Sequence, residues 1–160
     1  MERPVIICVD DQREVLTSIV RDLNPLRDSV RIEECESAAE ANALLDELEV
    51  DGTPVALIVC DHIMPGTTGV DFLTQLLGER RFPHTKRLLL TGQATHKDTI
   101  DAINNARIDY YIEKPWAPAQ LLDVCRRLIT DFLFDTGLYT DEFRAFADPK
   151  VLLARLKVSE

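Results

Sequence analysis

The sequence predicts a doubly wound α/β fold, a five-stranded parallel sheet with helices on both faces, and three observations predict it. Apolar runs alternate with stretches of helical periodicity, the pattern of repeated βα units. Right-handed crossovers then place helices on both faces and make the first strand central. Polar residues close the apolar runs: Asp10 and Asp11 after Val-Ile-Ile-Cys-Val, Asp61 after Val-Ala-Leu-Ile-Val-Cys, Thr91 after Arg-Leu-Leu-Leu, and Lys114 after Tyr-Tyr-Ile-Glu. In a parallel sheet those C-terminal ends meet at one edge, where such sheets bind ligands. Finally, 160 residues suit one domain and a short appendage.

The elements follow in order. The first strand is about Val5 to Val9, and the first helix is about Gln12 to Asn24, with Val15, Leu16, Ile19, Val20 and Leu23 on one face. Pro25 stops that helix. The second strand is about Val30 to Glu34. Ser37 caps the second helix and Glu40 completes a capping box, with Leu44, Leu45 and Leu48 leading to the turn at Asp51-Gly52. Strand three is Val55 to Cys60. A turn shaped by Pro65, Gly66 and Gly69 leads into a helix carrying Val70, Phe72, Leu73, Leu76 and Leu77 and ending near Gly78. Strand four is about Arg87 to Leu90, helix four about Lys97 to Asn105, and strand five Tyr110 to Ile112.

Helix five starts after Pro118 and is apolar around much of its circumference, from Leu121 to Leu133. One face covers the sheet, so the other needs a second partner. Residues 134–160 follow the domain of residues 1–133 as a helical extension. They carry Leu138, Tyr139, Phe143 and Phe146, then Asp148-Pro149 as a cap and first turn for Val151 to Val158. Such apolar density implies packing, either back onto the domain or in a homodimer through helix five and the extension.

Composition excludes several classes. A net charge of −10 opposes direct nucleic-acid binding. The basic stretch Arg80, Arg81, Lys86 and Arg87 is read as a solvated surface, with docking of an acidic partner as the alternative. No apolar run approaches the roughly 20 residues that span a bilayer. The start, Met-Glu-Arg-Pro, lacks a signal peptide's features, and a cytoplasmic protein is expected. Cys8, Cys35, Cys60 and Cys125 show no metal-ligand spacing and are read as core residues.

The sheet edge carries the chemistry. Like-charged carboxylates about 4 Å apart at an effective dielectric near 20 repel by on the order of 4 kcal/mol per pair, and a cation relieves this. Oxygen-only ligands favour Mg²⁺. Asp61 is then placed as a nucleophile, Lys114 as a point charge for a phosphoryl oxygen, and Thr91 as a hydroxyl for another. Each residue alone reads as a turn or cap, but all five end strands at one edge.

Together these residues resemble the receiver domain of two-component response regulators. The matching pieces are Val9-Asp10-Asp11, Asp61 to Gly66 with Gly69, Thr91-Gly92, and Tyr111-Ile112-Glu113-Lys114-Pro115, over about residues 4 to 133. The spacings agree too: 30 residues from Asp61 to Thr91 and 23 from Thr91 to Lys114. The resemblance implies a flavodoxin-like strand order of 2-1-3-4-5. It implies phosphorylation of Asp61 by a sensor histidine kinase or phosphotransfer protein. The metal would sit on Asp10, Asp11, Asp61 and the Ile63 backbone carbonyl, and the phosphoryl oxygens on Thr91 and Lys114. Thr91 and Tyr111 would be the switch pair, and the Lys114–Pro115 peptide would be cis. Output would pass through the face of helix four, strand five and helix five to a downstream protein or output domain. In this family the positions of Ile63 and Gln93 tune attack by water on the acyl phosphate. Trp116 is expected to pack beside the output face.

Two other classes compete. Phosphatases of the haloacid dehalogenase type also combine Asp, Thr, Lys and Mg²⁺, but their DxD pattern after the first strand is not met by Asp10-Asp11-Gln12. A pseudo-receiver scaffold would lack pocket residues that this chain retains. The receiver reading makes the chain no enzyme beyond its own phosphorylation and dephosphorylation.

Overall fold

A computed structural model describes residues 3–92 and 95–158. Its strands are β1 (Val5–Val9), β2 (Arg31–Cys35), β3 (Val55–Cys60), β4 (Lys86–Thr91) and β5 (Tyr110–Glu113). They pair in parallel in the order β2-β1-β3-β4-β5, as expected. The helices are α1 (Arg13–Leu23), α2 (Ala38–Asp51), α3 (Gly69–Glu79), α4 (His96–Asn105), α5 (Pro118–Asp135) and α6 (Pro149–Val158).

Every residue of β1 and β3 is buried, because helices cover both faces of these central strands. Alternating side chains feed two separate cores. Ile6, Cys8, Val59, Leu88 and Leu90 face α1 and α5, where Leu16, Ile19, Leu23, Cys125 and Ile129 wait. Ile7, Val9, Ile58, Cys60 and Leu89 face α2, α3 and α4. Val9 stands opposite both Cys35 and Cys60, and Thr91 opposite Glu113, so the strands end together along one edge.

Local chemistry explains the boundaries. The Ser37 hydroxyl accepts the Glu40 N–H, and the Glu40 carboxylate accepts the N–H of Glu36, one residue before a standard capping box. Pro25 does not simply end α1; it sits inside a 3₁₀ turn, Asn24–Leu26. Gly78 remains helical, and Arg80 at φ 59° takes the left-handed cap that follows α3. The four cysteines are free and buried, and burial pushes their thiols up, Cys35 to about 12, which suppresses thiolate chemistry.

The basic stretch is not the free solvated face that was expected. Arg81 pairs with Asp46 and Glu79, Lys86 bonds Asp135 at 2.8 Å, and Arg87 is buried within β4. Burial holds the Arg87 guanidinium below its usual range, only partly offset by Asp109.

The extension supplies the second partner of α5. Phe143 and Phe146 join the core that includes Ile129 and Leu133. Phe134 and Tyr139 stack at 4.3 Å between ring centroids. The buried Thr130 hydroxyl accepts the Asp148 N–H at 3.1 Å, and Asp148 in turn caps α6 through the N–H groups of Lys150 and Val151. Arg155 of α6 reaches back to Asp131 at 3.0 Å and Asp135 at 2.7 Å. Burial alone would raise the Asp135 carboxyl, but hydrogen bonds from Lys86 and Arg155 outweigh it and hold the group below 3.8. A depressed folded value means stability that is complete above 3.8 and lost as pH falls through that lower value. Asp135→Asn will therefore lower the urea midpoint at pH 7 by the equivalent of about 1 kcal/mol, since these groups are partly exposed. The gap between variant and wild type will close as the pH is lowered past 3.8.

Candidate functional site

The site is built by the backbone that leaves β1 and β3. Asp10 N–H bonds the Cys35 carbonyl at 3.1 Å and Asp61 N–H bonds the Val9 carbonyl at 2.9 Å, which fixes the two carboxylates side by side. Asp10 is fully buried, and one of its oxygens accepts the Gln12 N–H at 2.9 Å as the chain turns into α1. Carboxylate oxygens of Asp10, Asp11 and Asp61 lie within 4.8 Å of one another. Lys114 stands across from them, its Nζ 2.8 Å from Asp10 and 3.4 Å from Asp61.

Three carboxylates against one ammonium leave two negative charges in a small cleft. Burial pushes the Asp10 carboxyl above its usual range, a tendency that Lys114 and the Gln12 N–H oppose and Asp61 adds to. The donor set is all oxygen, carries two excess charges and opens to solvent through the exposed Asp11. It therefore fits a hard divalent cation.

Glycines admit the surrounding loops. A Cβ on Gly69 would lie far inside van der Waals contact with the Asp61 carbonyl oxygen and 3.0 Å from the His62 Cα. The Gly69 N–H also bonds the His62 carbonyl at 2.7 Å, so this close approach clamps the loop after Asp61. Gly69→Ala will shift that loop, destabilise the protein by about 2 kcal/mol in urea unfolding, and weaken Mg²⁺ binding. Gly92 packs on Lys114, where an added Cβ would meet the Lys114 Cβ at 3.3 Å.

The other expected residues fall as follows. Thr91 ends β4 fully buried and, like Gly92, borders the cleft with Asp11, Gln12, Asp61, Ile63, Met64, Pro65 and Lys114. Tyr111 is half-buried, and its hydroxyl donates to the Thr91 backbone carbonyl at 3.2 Å. The Lys114–Pro115 peptide is cis. Ile63 is 42% exposed at the mouth of the cleft. Gln93 lies outside the described residues. Trp116 is a packing residue, as expected: it lies against the core that joins α1, β5 and α5 and donates to Asp22 of α1 at 2.9 Å. Sequence reasoning missed Gln12, the Lys114–Asp10 ion pair and the Trp116–Asp22 bond. The first borders a predicted carboxylate, but the other two join residues that are far apart in the chain. A second groove between α3 and α4, lined by Asp71, Asp101, Asn104 and Arg107, holds mixed groups with no single ligand chemistry.

Comparison with known proteins gives one family. The family model "response regulator receiver domain" matches residues 6–126. The chain is 34% identical over 128 residues to the hydrogenase transcriptional regulatory protein HoxA of Cupriavidus necator, covering 80% of this chain and 24% of that protein. It is 29% identical over 120 residues to the chemotaxis protein CheY of Pseudomonas aeruginosa, covering 73% of this chain and 88% of that protein. The chain thus spans about a quarter of the HoxA relatives and most of the CheY relative. Among solved structures, the signal receiver domain of an HD domain-containing protein from Pseudomonas fluorescens superimposes with a TM-score of 0.73 at 27% identity, covering 86% of this chain and 94% of that one.

Proposed function

The chain belongs to the response regulator receiver domain family, and from that premise we propose that it is a phosphorylation-controlled signalling module with Asp61 as phosphoacceptor. The observation that carries this is the meeting of Asp61, two further carboxylates and Lys114 in one cleft. An Asp61 oxygen attacks phosphorus on a phosphohistidine of a sensor kinase or phosphotransfer protein. The O–P bond forms, the P–N bond breaks, and the imidazole leaves. Mg²⁺ held by Asp10, Asp11, Asp61 and the Ile63 carbonyl would neutralise charge on the phosphoryl oxygens. Lys114 then exchanges its ion pair with Asp10 and Asp61 for a phosphoryl oxygen, and the Thr91 hydroxyl binds another.

The switch follows from contacts. Tyr111 is tied to the Thr91 backbone, so movement of Thr91 towards phosphate changes the support under Tyr111. Phosphate then acts as a ligand that one of two arrangements binds better. That biases the face of α4, β5 and α5, where Ile100 and Ile103 are exposed and Arg127 lies 5.1 Å from the Tyr110 ring centroid. A downstream protein or output domain reads this face, and no turnover beyond the chain's own phosphorylation and dephosphorylation is assigned to it. Pairing of two copies through α5 would use the surface that α6 leaves free.

The test is incubation with acetyl phosphate and Mg²⁺, followed by intact mass. One added phosphoryl group, which does not form when EDTA is present from the start, is the expected result; no uptake refutes the reading. A second expectation concerns lifetime. Ile63 shields the cleft mouth with an apolar side chain, whereas Asn at that position would hold a water. Ile63→Asn will speed dephosphorylation about fivefold, the effect of about 1 kcal/mol on the barrier, as read by the decay of the phosphorylated mass.

A further inference from the structure

We propose that Trp116 and Asp22 are positioning residues for phosphoryl transfer: their hydrogen bond ties the loop that carries Lys114 to the helix that follows Asp10 and Asp11. The inference rests on the reading of Asp61 as phosphoacceptor. Trp116 lies two residues after Lys114, and its indole Nε1 donates to Asp22 Oδ2 at 2.9 Å. The Asp22 side chain is only 9% exposed, so this is a charge-assisted bond in a shielded place. The neighbouring Arg21 is 3.6 Å away but largely in solvent, and it competes weakly for the same carboxylate.

The tether runs from the loop after Lys114 to the last turn of α1, the helix whose first turn follows the acidic pair. The Lys114 N–H bonds the Thr91 carbonyl at 3.3 Å, which holds the start of the loop, and residues 115–117 add few polar ties of their own. Pro115 has no N–H, and Ala117 at the head of α5 offers no side-chain cap. Trp116 alone among residues 115–117 has a polar side chain. Lys114 must nevertheless stay within reach of Asp10 and Asp61 and later follow a phosphoryl oxygen. A point charge displaced by an ångström contributes far less to transfer.

The test uses the full chain, Mg²⁺ and acetyl phosphate, with the phosphorylated fraction read by intact mass over time. Trp116→Phe keeps an aromatic ring and removes the donor; it will slow phosphorylation about fivefold. Asp22→Ala will slow it equally, Asp22→Asn will recover part of the rate, and the double variant Trp116→Phe/Asp22→Ala will be no slower than either single one. The decisive arm is a Lys114→Gln background, in which Trp116→Phe will cause no further loss. The inference is overturned if Trp116→Phe phosphorylates at the wild-type rate, if its loss persists undiminished in the Lys114→Gln background, or if the loss tracks unfolding seen by circular dichroism at the assay temperature. A wild-type chain that takes up no phosphoryl group is a different outcome; it refutes Asp61 as acceptor and removes the step these residues would serve.

Discussion

Asp61→Asn will abolish phosphoryl uptake from acetyl phosphate while leaving the fold intact. The amide has nearly the shape of the carboxylate but no nucleophilic oxygen anion. Asp61 sits 93% buried between Asp10 and Lys114, so the replacement removes two like-charge repulsions, with Asp10 and Asp11, and one attraction, with Lys114 at 3.4 Å. Lys114 keeps its closer bond to Asp10 at 2.8 Å. The net relief makes the metal-free variant more stable than wild type by on the order of 1 kcal/mol, after allowance for solvent in the open cleft. Mg²⁺ will correspondingly raise the melting temperature of wild type more than that of the variant. Intact mass and thermal melts with and without Mg²⁺ check both statements. Uptake by Asp61→Asn at the wild-type rate would place the acceptor elsewhere.

Phe146→Ala will cost about 3 kcal/mol of stability in urea unfolding, and Phe143→Ala about as much. Both rings are more than nine-tenths buried in the α1 and α5 core, and they contact each other edge to face at 6.4 Å between centroids. The Phe146 ring also lies 5.8 Å from the Arg126 guanidinium, whose Nε is buried with no hydrogen-bond partner among the described residues. Removing the ring leaves a cavity and exposes that guanidinium, and the two effects partly offset. The prediction separates an extension that is part of the core from one that hangs off it. Losses below about 0.5 kcal/mol, the size of an ordinary surface substitution, would show that the extension does not pack on α5 as described.

How much of this was legible in the sequence depends on the range of the interaction. Strand β3 is read to the residue, because its apolar run is bounded by Pro54 and Asp61. The head of α2 is read from Ser37 and Glu40, because capping is a matter of three residues. Boundaries drift where pairing decides them: β4 extends one residue beyond its apolar run at each end because Lys86 and Thr91 find ladder partners in Leu57 and Glu113. The basic stretch misleads for the same reason. Arg81, Lys86 and Arg87 sit near each other in the chain, while Asp46, Asp135 and Asp109, which face them, do not.

The site divides along the same line. Asp10, Asp11, Asp61, Thr91 and Lys114 were recognisable because each ends an apolar run and a parallel sheet brings such ends together, whatever the details of packing. By itself, then, the chain of residues determined the fold, the strand edge and the chemical inventory of the cleft, since those depend on periodicity and residue type. Only the tertiary structure decided that Lys114 rests on Asp10, that Trp116 turns to Asp22 and that the extension closes over its own α5. Those choices are made between surfaces that several partners could satisfy, and contact energies between distant residues, not local propensity, select among them.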